Sequence, residues 1–361
     1  MAKPTILGKQ TGPIGFGLMG MTWRPNPQPF SESIKTMRRT LELGYDNVNW
    51  NGGEFYGPPE KNSMHLLSEY FKQYPDDASK VTLCIKGGGE PTGVPMPNAS
   101  DENTRRSLDD CLNLIKDCSK KTIDIFEMAR IDPTREEGNR TAHKVIAEYI
   151  KAGKIGGLGL SEVSAKTIRA TQKQLTEELG IKEGVASVEI ELSLWNPDPL
   201  QNGIMATCAE FDIPVFAYSP LARGALTDKP IRSNAEIPES DFRKHAPRFQ
   251  DDVLEVNNKI TDAVTEIAKK RGVTTPQVAI AWVRGQSGRT RSVKTEDGQT
   301  KTVKLGSVIP IPGATTVSRV EENLKDVVLS EEDMQELDAL IDKYPVMGDR
   351  YPRGKYDLTN G

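Results

Sequence analysis

Tyr56 and Lys86 are the side chains in this 361-residue sequence best suited to moving a proton. Tyr56 lies in the stretch Asn49-Trp50-Asn51-Gly52-Gly53-Glu54-Phe55-Tyr56-Gly57, where a short apolar strand runs into two glycines and then a phenol. Lys86 ends the apolar run Val81 to Lys86, and Gly87, Gly88 and Gly89 follow it. If the two strands are parallel neighbours, their C-terminal ends bring phenol and ammonium side by side. An ammonium favours phenolate and lowers the phenol's pKa. That would suit Tyr56 to exchange a proton with a carbonyl or alcohol oxygen near neutral pH. Taken alone, the same residues also read as a surface loop with an incidental aromatic and a strand-end lysine reaching for solvent.

The elements needed to place this pair follow from hydropathy. Short apolar runs at Thr11 to Gly20, Tyr45 to Trp50, Val81 to Lys86, Ile123 to Met128, Ile155 to Leu160, Val185 to Leu192, Pro214 to Tyr218 and Gly306 to Pro310 predict eight strands. Amphipathic helices separate them, with predicted caps at Ser31, Ser100, Ser164, Thr275 and Ser330. Eight strands alternating with helices predict an α/β fold of the (β/α)8 TIM-barrel type, whose chemistry sits in the loops after the strands. No linker divides the chain, so a single domain over residues 1–361 is expected. Two segments break the rhythm: a long polar loop at 221–252, and residues 286–304, where alternation about Asp297-Gly298 predicts an inserted hairpin. The basic residues of that insertion read as a solvated hairpin rather than an anion site.

Composition narrows the partners. A net charge of -4 gives no bulk attraction to nucleic acid or an anionic membrane. No apolar run is long enough to span a bilayer. The N-terminus lacks the layout of a secretion signal, which points to a cytoplasmic protein. Cys84, Cys111, Cys118 and Cys208 form no Cys-x-x-Cys pair and read as reduced, buried thiols. His65, His143 and His245 are too scattered for a metal site. The oligomeric state is left open.

Several motifs in a shared order resemble the aldo-keto reductases. Trp50 to Gly57 sits where that family carries Phe-Asp-Thr-Ala-x-x-Tyr-Gly, and Ile85-Lys86 matches its strand-end lysine. Gly159-Leu160-Ser161 looks like its Gly-Val-Ser, and Tyr218-Ser219-Pro220-Leu221-Ala222-Arg223-Gly224 like its Tyr-Ser-Pro-Leu-x-x-Gly. Ile309-Pro310-Ile311-Pro312-Gly313-Ala314, with Arg319, Glu322 and Asn323, resembles its cofactor segment. The resemblance implies a barrel reductase binding NADPH, with catalytic positions Tyr56, Lys86 and Asn51. Tyr218 would stack on the nicotinamide, while Ser161 and Glu189 would hold its carboxamide. Ser219, Pro220, Leu221 and Arg223 would line the pyrophosphate. Gly313, Arg319, Glu322 and Asn323 would hold the adenosine end, an arginine there favouring a 2′-phosphate and hence NADPH.

Two positions depart from that pattern. Asn51 stands where the family has an aspartate, and Ala129 where it has a histidine. The combination of Asn51 to Gly57 with Phe126-Glu127-Met128-Ala129-Arg130-Ile131-Asp132-Pro133 is similar to the fungal pyridoxal reductases. This implies NADPH-dependent reduction of pyridoxal to pyridoxine, a step of vitamin B6 metabolism. The substrate's hydroxyl, ortho to the aldehyde, would stand in for part of the missing histidine, and Glu127 would pair with Lys86 in place of the aspartate. The alternatives are a general aromatic aldehyde reductase and a non-catalytic NADPH-binding regulatory subunit.

Overall fold

The computed structural model describes residues 3–90 and 96–352. The ends of the expected 1–361 domain, residues 1–2 and 353–361, lie outside the described residues. Eight parallel strands run β1 (Phe16–Gly17), β2 (Val48–Gly53), β3 (Val81–Gly87), β4 (Ile123–Met128), β5 (Ile155–Ser161), β6 (Val185–Glu191), β7 (Val215–Tyr218) and β8 (Val308–Pro310), each beside the next. The sheet closes on itself. The Gly15 N–H donates to the Pro310 carbonyl at 2.9 Å and the Gly17 N–H to that of Pro312 at 3.1 Å, and Gly17 pairs with Gly313. The fold is therefore a (β/α)8 barrel of the TIM type.

Every residue of β2, β3 and β6 is buried. Helices cover such strands outside and stacked side chains fill them inside, so the runs lose the polar alternation of a one-sided sheet. A two-stranded hairpin, Thr5–Ile6 with Lys9–Gln10, precedes the barrel. Its Ile6 packs with Cys84, Ile125, Phe216 and Ile309 in an apolar layer of the interior. Further along the strands the interior turns polar, with buried Asn51, Lys86, Glu127 and Glu189.

The predicted caps hold at Ser100, Ser164 and Ser330, whose side chains accept from the backbone N–H groups of Asn103, Thr167 and Asp333. Two shift. The helix Phe30–Glu42 starts behind Pro29, so Ser31 lies inside its first turn. Thr274 rather than Thr275 caps Thr275–Arg284, because only Thr274 stands three residues before Gln277 and can exchange hydrogen bonds with it.

Residues 221–252 wind through four short 3-10 turns. Asn234 ties this segment together by donating to the carbonyls of Lys244 and Phe249, at 3.0 and 2.9 Å. Within residues 286–304, Thr290–Lys294 pairs antiparallel with Thr300–Lys304. Arg289 and Arg291 beside it are bound to Asp338 of the last helix, which leaves them occupied. Among the described residues, no helix is long and apolar enough to cross a membrane.

One glycine of β5 is dictated by the polar layer. A Cβ at Gly159 would lie 2.4 Å from Cγ of Glu127 and 2.7 Å from Oγ of Ser187. Both neighbours are fully buried and cannot swing away. Gly159→Ala is expected to cost about 1–3 kcal/mol of stability through overpacking. The check is a urea midpoint lowered without a change in slope.

Candidate functional site

Tyr56 stands on a loop that its neighbours immobilise. Asn62 caps the helix Ser63–Gln73 and also donates to the Glu54 carbonyl at 2.6 Å. Ser63 Oγ bonds both the N–H and the carbonyl of Gly53, at 2.9 and 2.8 Å. Thr22 donates to the Tyr56 carbonyl at 2.5 Å. Gly57 turns the chain at φ +114, where a side chain would meet the Lys61 and Thr22 carbonyls. Gly53 leaves space for the phenol itself, since a Cβ there would come within 3.2 Å of the ring. Trp23 stacks on that ring, with centroids 5.7 Å apart. The phenol is thus held near the C-terminal ends of β2 and β3.

Lys86 occupies the centre of the polar layer. Its Nζ donates to Oδ1 of Asn51 at 3.0 Å and forms an ion pair with Glu189. Asn51 completes the triangle, its Nδ2 donating to Glu189 Oε2. Glu127 is the second carboxylate, 3.5 Å from the ammonium and bound by Ser187 Oγ at 3.0 Å. Glu189 was expected beside Ser161 at a nicotinamide carboxamide; its carboxylate is turned to Lys86 and Asn51 instead. Cys84, Glu127 and Glu189 bring ligand atoms within 4.8 Å of one another, a spacing that could hold a metal ion, but the ammonium already neutralises this cluster.

The charges are set by burial and by one another. Burial alone would discharge Lys86, yet Glu189, Tyr56 and Glu127 outweigh it and hold the ammonium well above its ordinary pKa. Burial pushes the Glu127 carboxyl up to about 8, and the Glu189 charge adds to this. A proton on Glu127 leaves one ammonium facing one carboxylate, a neutral arrangement for a dry interior. Lys86 Nζ lies 6.0 Å from the centroid of the Tyr56 ring, with no direct hydrogen bond between the two side chains. Burial raises the phenol to about 12 despite the opposing pull of Lys86 and Arg130. The expected net lowering of Tyr56 is therefore corrected: desolvation wins, and the group stays a neutral donor across the physiological range.

The residues expected around a cofactor lie along the same rim. Ser161, at the end of β5, is buried, and its Oγ accepts from Arg130 at 3.4 Å. Tyr218 ends β7. Beyond it Ser219, Ala222 and Arg223 adopt left-handed φ values of 50, 49 and 57. Within this turn the N–H groups of Ala222, Gly224 and Ala225 donate to the carbonyls of Ser219, Leu221 and Ala222. Pro220 is buried and Leu221 half-buried in this turn. Arg223 binds Glu191 at 2.6 Å. Gly313 pairs with Gly17, and its carbonyl accepts from buried Asn323 at 3.5 Å. Arg319 is exposed on the helix Val317–Asn323, and Glu322 takes part through its carbonyl, which accepts from Gln277 at 3.2 Å. The exposed guanidinium of Arg319 fits a phosphate group.

Four further rim residues, Glu162, Glu191, Arg350 and Tyr351, were not among the expected site residues, and they meet Tyr218 and Arg223, which were. Glu162 and Arg350 form an ion pair, Arg223 donates to the Arg350 carbonyl at 2.8 Å, and the hydroxyls of Tyr351 and Tyr218 lie 3.3 Å apart. The segment 348–352 therefore packs against the ends of β5, β6 and β7. The signal was present for two of these residues: Glu191 stands two positions after Glu189 at the end of its strand, and Glu162 directly follows Ser161.

The raised Glu127 carboxyl makes stability depend on pH. Between about 4.5 and 8 the folded chain keeps a proton that the unfolded chain has lost. Stability from this group is thus full below pH 4.5 and is lost as pH rises toward 8. Glu127→Gln is expected to flatten that decline, measured as the difference between urea midpoints at pH 5 and pH 8. An unchanged difference would assign the proton elsewhere.

Comparison with known proteins agrees with this geometry. The family model described as Aldo/keto reductase family matches residues 13–342. A Schizosaccharomyces pombe protein named "Probable pyridoxal reductase 2" is 34% identical over 96% of this chain and 97% of its own length. A Saccharomyces cerevisiae protein named "Putative pyridoxal reductase" is 35% identical over 93% of this chain and 95% of its own. Among solved structures, a glycerol dehydrogenase from Gluconobacter oxydans matches with a TM-score of 0.76 at 19% identity, covering 97% of this chain and 98% of that one, which concerns the fold alone. With a barrel closed from β1 to β8, a buried strand-end lysine beside a loop tyrosine, and a family match over nearly its whole length, the chain belongs to the aldo/keto reductase family.

Proposed function

We propose that this reductase uses NADPH to reduce an aldehyde to an alcohol, with pyridoxal as its substrate and Tyr56 as the proton donor. The observation that carries the reading is the charged Lys86, held beside Tyr56 by Glu189 and Asn51 although the usual aspartate is absent. A chain kept only to bind a cofactor has no need of a buried ammonium at this position, because burying and pairing it is costly. The two relatives named as pyridoxal reductases support the substrate.

Bound at the rim, NADPH would supply the hydride that the carbonyl carbon accepts. The residues of the chain do the rest. Ser161 and Tyr218 would orient the nicotinamide, and the turn Ser219 to Arg223 would take the pyrophosphate. Arg319 would pair with a 2′-phosphate, with Asn323 bracing Gly313 behind it. As the carbonyl carbon is reduced, its oxygen gains alkoxide character and takes the proton of Tyr56. An alkoxide is far more basic than a phenolate even at a pKa of about 12, so this transfer runs downhill. Lys86 stabilises the phenolate until water returns the proton. With no acid at Ala129, proton donation falls to Tyr56.

The experiment is consumption of NADPH by the purified protein with pyridoxal. Turnover is expected, and Tyr56→Phe is expected to lower kcat by about 10²- to 10⁴-fold, the usual share of a general acid, with NADPH affinity unchanged. Turnover of simple aromatic aldehydes but not pyridoxal would make the enzyme a general aldehyde reductase. Tight NADPH binding without turnover of any aldehyde would make it a regulatory subunit.

A further inference from the structure

The rim of the barrel carries more guanidinium groups than a cofactor accounts for, and they differ in how they are committed. Arg223 is paired with Glu191, and Arg350 with Glu162. Arg130 follows Ala129 just past the end of β4. Its Nη1 donates to the Ala129 carbonyl at 2.6 Å and to Ser161 Oγ at 3.4 Å. Among the described residues it forms no ion pair, and no acceptor is found for its Nη2 or Nε. It is half-buried, and these donors face no protein acceptor.

We propose that Arg130 selects aldehydes that carry a ring oxygen ortho to the formyl group, by donating to that oxygen and to the carbonyl oxygen together. This rests on the reductase reading above and names what that site recognises. An ortho-hydroxy aldehyde presents two oxygens side by side in one plane. A guanidinium presents two parallel N–H donors in one plane, a match that a lysine cannot reproduce. Position supports the assignment. Arg130 touches Ser161 at the end of β5, and its charge is close enough to favour the ionised form of the Tyr56 phenol. A ligand between these groups would meet a proton donor from β2 and a cationic fork from β4.

The pattern also accounts for Ala129. A donor there would serve any carbonyl, with or without a neighbouring oxygen. A methyl group beside a free guanidinium moves carbonyl activation one residue along and ties it to the ortho oxygen. Whether that oxygen is a hydroxyl or an oxyanion, the guanidinium can donate to it, and the oxyanion gives the stronger bond. Hydride arrives at the carbon and the proton still comes from Tyr56, so Arg130 changes no bond. It holds the substrate and stabilises the oxygen on which charge develops.

The test compares pyridoxal with pyridine-4-carbaldehyde, which keeps the ring nitrogen and aldehyde but lacks the ortho oxygen. For Arg130→Met, kcat/KM with pyridoxal is expected to fall about 10- to 100-fold, the loss of a hydrogen bond to a charged group. With pyridine-4-carbaldehyde, which loses only the bond to the carbonyl oxygen, the fall is expected to be smaller, about 2- to 10-fold. Arg130→Lys should recover only part of the pyridoxal rate. NADPH affinity, read by quenching of protein fluorescence, should not move. Equal losses on both aldehydes, no loss on either, or weakened NADPH binding would each overturn the assignment to the ortho oxygen. These outcomes are distinct from failure of the reductase reading, in which the unmodified protein turns over neither aldehyde.

Discussion

A single buried ammonium faces two buried carboxylates inside the barrel, and much of the interior answers to that arrangement. Lys86 cannot stay charged in an apolar interior without a partner. Glu189 supplies the charge, Asn51 bridges the two, and Glu127 holds the extra proton that keeps the cluster neutral. Each partner makes its own demand. Glu127 needs Ser187 as a donor and empty space at Gly159. Asn51 must reach both Lys86 and Glu189, which requires the neighbouring strands in their observed register. The glycines of the Tyr56 loop then bring the phenol against this charged cluster rather than out into water.

The balance of effects at Tyr56 shapes the chemistry. Desolvation favours the neutral phenol, and Lys86 favours the phenolate; desolvation is the larger. Such a phenol is poor at taking a proton from an alcohol and well suited to giving one to an alkoxide. The site is in this sense built for reduction. The rim divides its cations by task. Those paired to Glu162 and Glu191 brace the segment 348–352 against the strand ends, whereas Arg319 and Arg130 form no ion pair among the described residues.

The barrel was legible because its signals are local and repeated. Eight apolar runs separated by capped helices identify the fold without any knowledge of contacts. Tyr56 and Lys86 were legible for the same reason, since Tyr56 closely follows one recognisable strand and Lys86 ends another, both beside glycines. The partner of Lys86 was not. Asn51 and Glu189 lie 138 residues apart, and only closure of the barrel brings them together. Glu127, the partner expected for Lys86, lies 3.5 Å from the ammonium, while Glu189 makes the closer contact. The cap at Ser31 was misplaced because Pro29 fixes the start of that helix from two residues earlier. Arg130 had no sequence signature, because its meaning lies in forming no ion pair once the strand ends are brought together.

Whether Glu189 has taken over the work of the missing aspartate is the question on which the rest turns. The direct measurement is kcat/KM with pyridoxal for Glu189→Gln, alone and combined with Asn51→Asp. Removing the carboxylate should lower kcat/KM about 10- to 100-fold by leaving Lys86 unbalanced beside Tyr56. Restoring a carboxylate at position 51 should return much of that loss, because the new charge again faces the ammonium. Full activity in Glu189→Gln, or no recovery in a folded double variant, would contradict the assignment of Glu189 as the group that holds Lys86 in its working state.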